Sequence, residues 1–171
     1  FFASGPERYS SGQILILNVK RARLLGMVRK RFRIDNGRGH ELAASLEQPD
    51  SPVRAMALFA HCFTCSKDFL AASRISRALA ELGIGMIRFD FTGLGNSAGD
   101  FSNTNFSSNI EDIAAICHYM KSHLQPVDIL NGHSFGGTAA LAAAERVPES
   151  SIVATINSPS EPAHVRTLLK Q

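Results

Sequence analysis

The chain has 171 residues, 44% of them apolar and 19% charged, which suits one compact domain with a real core and excludes a disordered chain. No apolar run approaches the roughly 20 residues of a spanning helix, so no membrane role is expected. The net charge of +3 hides an asymmetry: residues 1–40 carry nine Lys/Arg against two Asp/Glu, and the remainder carries nine against thirteen.

The basic charge therefore belongs to the N-terminal segment. Its densest part, "RKRFR" from Arg29 to Arg33, is short and reads as a solvated flank; no nucleic-acid partner is expected. Residues 1–26 contain "ILIL", too short for a signal-peptide core, and read as an upstream extension outside the fold, with a basic, serine-containing targeting leader as the alternative. Three cysteines without a convincing signal peptide point to reduced thiols in a cytoplasmic setting. The domain proper is expected over 27–171. It opens with two strands, "KRFRI" and "ELAASLE", joined through "DNGRG", whose Asn36-Gly37 step is a strong hairpin signal.

From Val53 onward strands and helices alternate. "VRAMALFAH" (Val53 to His61) is an almost unbroken apolar run, as a strand buried on both faces requires. An amphipathic helix follows, with Ser66 as candidate N-cap, Phe69, Ala72, Ile75, Leu79 and Leu82 on its apolar side, and Gly83 as stop. "IGMIRFDF" (Ile84 to Phe91) is a second buried strand and empties into the glycine-rich "TGLGNSAGD". The next helix is expected from Phe106 to His123, with Ile110, Ile113, Ile116 or Cys117, Met120 and Leu124 on one side, ending before Pro126. "VDILN", the turn "GHSFGG", the helix "TAALAAAERV" and the strand "SIVATIN" (Ser151 to Asn157) complete the series. This alternation predicts an α/β fold: a mostly parallel sheet with helices on both faces and the hairpin at one edge.

The turn between "VDILN" and the alanine-rich helix carries the chemistry. Ser134 lies between Gly132-His133 and Phe135-Gly136-Gly137, a G-x-S-x-G in the strand–turn–helix setting that gives this motif its meaning. Such a turn exposes the serine hydroxyl at the carboxyl end of the sheet and at a helix N-terminus, where developing negative charge is favoured. The glycines relieve crowding at the turn. The competing reading is a plain glycine-rich turn with a capping serine. Acyl transfer also needs two oxyanion donors: the backbone N–H of Phe135, next after the nucleophile, and one from "HCFTCSKD", where Phe63 is preferred and Cys62 is the near alternative.

With these motifs in order, the chain resembles the α/β-hydrolase superfamily. "GHSFGG" is similar to its nucleophile elbow, "LFAHCF" to its oxyanion strand and loop, and "RFDFTGLGNSAG" to its D-x-R-G-x-G-x-S loop, over roughly residues 53–157. Cys62 stands where glycine is usual and Thr92 where arginine is usual. "FAHCFTCSKDF" with "RFDFTGLGNSAGDFSNTNFSSN" looks most like hydrolase domains of bacterial proteins fused to an OsmC-like domain, and this implies such a fused partner in a longer protein. The resemblance implies a serine hydrolase acting on a small-molecule ester, thioester or amide, with no cofactor and no metal.

Cys62 and Cys65 also form a C-x-x-C that can be weighed as a thiol redox pair or a zinc half-site. An oxyanion loop is due at that place, and no second ligand pair appears at usable spacing, so both come after the hydrolase reading. His61 and His133 are assigned to packing and support of their loops, and Asp90 to tying its loop down. The family order places an acid and then a histidine after the serine. Glu161 and His164 are the only nearby candidates and stand too close to the elbow in sequence. The chain is thus expected to be an N-terminal part of the domain, inactive alone, with its last strands, acid and histidine beyond Gln171; a degenerate, non-catalytic copy is the alternative.

Overall fold

A computed structural model of the protein describes residues 26–159. Six strands form one sheet: β1 (Met27–Asp35), β2 (Glu41–Pro49), β3 (Ala55–Ala60), β4 (Ile84–Phe89), β5 (Ile129–His133) and β6 (Ile152–Ile156), in the order β1-β2-β4-β3-β5-β6. β1 and β2 are an antiparallel hairpin, β2 joins β4 antiparallel, and β4, β3, β5 and β6 pair in parallel. Three α-helices connect the parallel part: α1 (Leu70–Glu81), α2 (Phe106–His123) and α3 (Phe135–Ala143).

Both faces of the sheet are covered, which is why β3, "AMALFA", is apolar at every position and buried from its second residue onward. Ala57, Phe59 and Met86 face Ala72 of α1, with Phe69, Ile75 and Leu79 packed beside them. Leu58, Ala60, Ile87, Phe89 and Leu130 face the other way, onto Ile113, Ile116 and Met120 of α2 and Ala139, Ala140 and Ala143 of α3. In β1 the alternation is visible residue by residue: Phe32 and Ile34 turn inward while Arg29, Arg31 and Arg33 turn to solvent. Arg29 pairs with Glu47 at 2.9 Å, and Arg29, Lys30 and Arg31 line a cavity of about 490 Å³ with Arg77 and Arg88.

Helix ends differ in how well the sequence marks them. α2 begins with a reciprocal capping box, in which the Asn105 side chain accepts from the Ser108 N–H and the Ser108 hydroxyl accepts from the Asn105 N–H. α1 begins at Leu70 with Phe69 in the N-cap position, not at Ser66. Residues 66–69 instead form a turn closed by the Phe69 N–H to the Ser66 carbonyl at 3.2 Å, because Lys67 is drawn inward to Asp90. The hairpin is longer than "KRFRI" and "ELAASLE", and its connection is the five residues Asn36–His40, closed by the Asn36 N–H to the His40 carbonyl at 3.0 Å.

The chain order also sets where a site can form. From β3 the chain crosses to β4 on one side and later returns to β5 on the other. The carboxyl ends of these strands are level, since Ala60 pairs with Phe89 and with Gly132. In an open α/β sheet such a reversal leaves a crevice outside the carboxyl ends of the strands. Here the loops after β3, β4 and β5 meet.

Candidate active site

Ser134 joins β5 to α3 with φ 53° and ψ −125°, a conformation that L-residues avoid at a cost on the order of 1–3 kcal/mol. The surrounding bonds hold it there. Its N–H donates to the Ile156 carbonyl at 2.9 Å, and its carbonyl accepts from the N–H groups of Gly137 and Thr138. The hydroxyl does not cap α3. A serine whose only task was capping would make that bond, so the capping reading fails.

The glycines account for how close the elbow comes to β3. A Cβ on Gly136 would strike the carbonyl oxygens of Ala60 and His61, and one on Gly132 would strike the backbone of Gly136 and Gly137. Gly137 lies against the Ser158 side chain. With these side chains absent, the first turn of α3 settles on the end of β3 and brings the elbow beside the loop that follows it.

That loop is aimed by His61. The imidazole is fully buried; the Phe91 N–H donates to its Nε2 at 3.3 Å, which leaves Nδ1–H to donate to the Cys62 carbonyl at 2.6 Å. Burial pushes the His61 pKa below its usual value, the nearby Asp90 carboxylate notwithstanding, so the ring is neutral as this tautomer requires. In a trans peptide the C=O and N–H point in opposite directions. By fixing the Cys62 oxygen, His61 therefore also fixes the direction of the Phe63 N–H. No acceptor among the described residues takes the N–H of Phe63 or of Phe135, and their rings meet edge to face with centroids 5.9 Å apart. Phe101 packs on Phe63 at 4.6 Å and Phe106 on Phe135 at 5.7 Å.

The glycine-rich loop after β4 is fastened from two sides. Asp90, fully buried, accepts from the Lys67 N–H at 2.6 Å and the Asn96 N–H at 3.0 Å, and pairs with Lys67 Nζ at 3.1 Å. It thereby links the loop after β3 to the loop after β4. Thr92 occupies the position of the usual arginine and donates from its N–H and hydroxyl to Asp112 of α2, both at 2.9 Å. Asn36 bonds the Thr92 hydroxyl at 3.1 Å, and Arg38 pairs with Asp112. Sequence reasoning missed Asn36, Arg38 and Asp112. A buried carboxylate in α2 and a cation in the hairpin turn carry no local signal that they meet.

Cys62 and Cys65 are joined as a disulfide, with Cα atoms 5.2 Å apart and the Cys65 N–H on the Cys62 carbonyl at 3.1 Å. This corrects the expectation of reduced thiols: the tight turn brings the two sulfurs together. Cys117 alone is free, its thiol pushed up to about 12 by burial. His133 packs on Phe69 with ring centroids 5.8 Å apart. Its ligand nitrogen and the two sulfurs all lie within 4.8 Å of one another. Glu161 and His164 lie outside the described residues.

The fold is that of an alpha/beta hydrolase. Residues 51–161 match the family model described as serine aminopeptidase, S33, and the chain belongs to that family. Among solved structures it is similar to an esterase domain from Rhodothermus marinus, at 48% identity and TM-score 0.68 over 81% of this chain and 54% of that one. It is also similar to the ferulic acid complex of Est1E from Butyrivibrio proteoclasticus, at 25% identity and TM-score 0.67 over 71% and 50% of the two chains. A serine hydrolase homologue from Coxiella burnetii, 22% identical with TM-score 0.69 over 81% and 67%, shares the fold. The chain thus spans about half the length of the first two structures. No curated protein matches it. No helix among the described residues is long and apolar enough to cross a membrane.

Proposed function

We propose that the chain supplies the nucleophile and the oxyanion hole of a serine esterase. Ser134 Oγ attacks the carbonyl carbon of a small acyl substrate, the N–H groups of Phe63 and Phe135 hold the oxygen as it gains charge, and collapse expels the alcohol and leaves an acyl-enzyme that water hydrolyses. The observation that carries this reading is the backbone of Ser134: a non-glycine residue at positive φ, locked by three hydrogen bonds, with a hydroxyl unused by the helix it precedes. Structure of this cost persists where function requires it.

Esters are favoured over amides by the relatives at 48% and 25% identity, one an esterase domain and the other bound to ferulic acid. Phe63, Phe101, Phe106 and Phe135 form an apolar aromatic wall beside the elbow, suited to an aryl or acyl group. The catalytic acid and histidine belong to a longer chain whose sheet continues past β6, where Ile152 and Ile156 are exposed among the described residues. An OsmC-like domain fused to that chain is part of the same proposal. The test is hydrolysis of aryl esters and matched anilides by the full-length protein and its Ser134→Ala variant. Ester turnover lost in the variant supports the reading; anilide turnover without ester turnover, or turnover kept by the variant, overturns it.

A further inference from the structure

The fold places three soft-metal ligands side by side directly before the nucleophile. Cys62 and Cys65 come from the loop after β3, and His133 from the last position of β5, where it is paired with Ile156 of β6. Sequence spacing shows only the C-x-x-C; the third ligand arrives through the pairing of β3 with β5. His133 carries the independent sign of an unfilled role, because its Nδ1 is buried and has no hydrogen-bond partner among the described residues. A buried ring nitrogen left unpaired costs roughly 1–3 kcal/mol, and a cation bound through Nδ1 would satisfy it.

We propose that Cys62, Cys65 and His133, with the cysteines reduced, form a three-ligand site for Zn²⁺. Two thiolates and an imidazole are its preferred donors, and three protein ligands leave the fourth tetrahedral position for water. Reduction frees the two sulfurs to separate from bonding contact to the spacing a metal needs. Ligand atoms around a tetrahedral zinc stand roughly 3.3–3.8 Å apart, given Zn–S of about 2.3 Å and Zn–N of about 2.0 Å, and here all three lie within 4.8 Å of one another. The turn from the Cys65 N–H to the Cys62 carbonyl already holds both cysteines on one side of the loop, and β5 holds the histidine. On binding, two thiols release two protons and the cation takes both sulfur lone pairs, so the site stays neutral overall. The disulfide and the metal are mutually exclusive states of the same sulfurs: a thiol or phosphine reductant supplies the two electrons that open the first, and a peroxide or disulfide oxidant closes it again and expels the cation. Resting on the proposed hydrolase site, the cation would tie the residues next to the donor Phe63 and the nucleophile Ser134 into one rigid piece.

The experiment titrates phosphine-reduced, metal-free full-length protein with Cd²⁺, reading the thiolate-to-metal charge-transfer band, and then with Zn²⁺ as competitor. One equivalent bound, displaced by Zn²⁺ and absent after oxidation, is expected. Cys65→Ser should abolish the band, His133→Asn should weaken binding at least about 10-fold, and Cys117→Ser should leave it unchanged, with far-ultraviolet circular dichroism confirming each metal-free fold. If His133→Asn does not fold, Cys65→Ser and Cys62→Ser carry the comparison. No band in reduced wild-type protein, an undiminished band in either of those serine variants, or unaltered affinity in folded His133→Asn would each overturn the site. The readout is metal stoichiometry, so failure of the Ser134 assignment would leave it untouched.

Discussion

Replacing His61 by phenylalanine would test how the loop after β3, proposed to carry an oxyanion donor, is aimed. The new ring keeps the packing against Phe91, now edge to face with centroids 5.2 Å apart, and deletes both hydrogen bonds. The Phe91 N–H then remains buried without a partner, at roughly 1–3 kcal/mol, while the Cys62 carbonyl loses one bond of about 0.5–1.5 kcal/mol and keeps only the Cys65 N–H, so His61→Phe should lower unfolding free energy by about 1.5–4.5 kcal/mol. The Phe63 N–H also loses its fixed direction, and kcat for an aryl ester in the full-length protein should fall by on the order of 10²-fold with a smaller change in KM. There is a pH signature as well. The unfolded imidazole takes a proton near pH 6.5, whereas the buried one resists protonation until lower pH. Between those values the unfolded state binds more protons, so stability is full above pH 6.5 and falls as the pH drops, by up to about 1.4 kcal/mol per unit from this group. Urea denaturation at several pH values should show that slope in the wild type and its loss in His61→Phe. A variant with unchanged kcat and an unchanged slope would refute the tautomer and its role.

Gly136→Val should destabilise the fold by more than about 3 kcal/mol, beyond ordinary overpacking, because its Cβ meets the carbonyls of Ala60 and His61; a thermal midpoint within a few degrees of wild type would contradict the packing account. Asp90→Ala leaves the Lys67 ammonium, 3% exposed, with only the half-exposed Asp68 and strands the N–H groups of Lys67 and Asn96. The expected loss by denaturant titration is about 3–5 kcal/mol, and a loss under 1 kcal/mol would count against the loop linkage.

What the sequence disclosed follows the range of the forces involved. The α2 limits and the burial of Ile113, Ile116 and Met120 were legible because apolar periodicity and the stop before Pro126 act within a few residues. So was the strand–turn–helix around Ser134, whose glycines and serine are contiguous. The start of α1 was misread because Ser66 is a good cap by composition, while Lys67 answers to Asp90 across the sheet end. The same distance hid the anchoring of Thr92 by Asn36 and Asp112, the tautomer of His61 and the approach of His133 to the cysteines. Each depends on which strands lie side by side, β2 against β4 for Thr92 and β3 between β4 and β5 for the other two, which no local pattern encodes.

The central claim is that Ser134 is an activated nucleophile. Its most direct test is fluorophosphonate labelling of the full-length protein followed by peptide mass spectrometry. A single adduct on the peptide carrying Ser134, absent from Ser134→Ala and slowed in His61→Phe, is the predicted result. No adduct in folded wild-type protein, or one that survives Ser134→Ala, would contradict it.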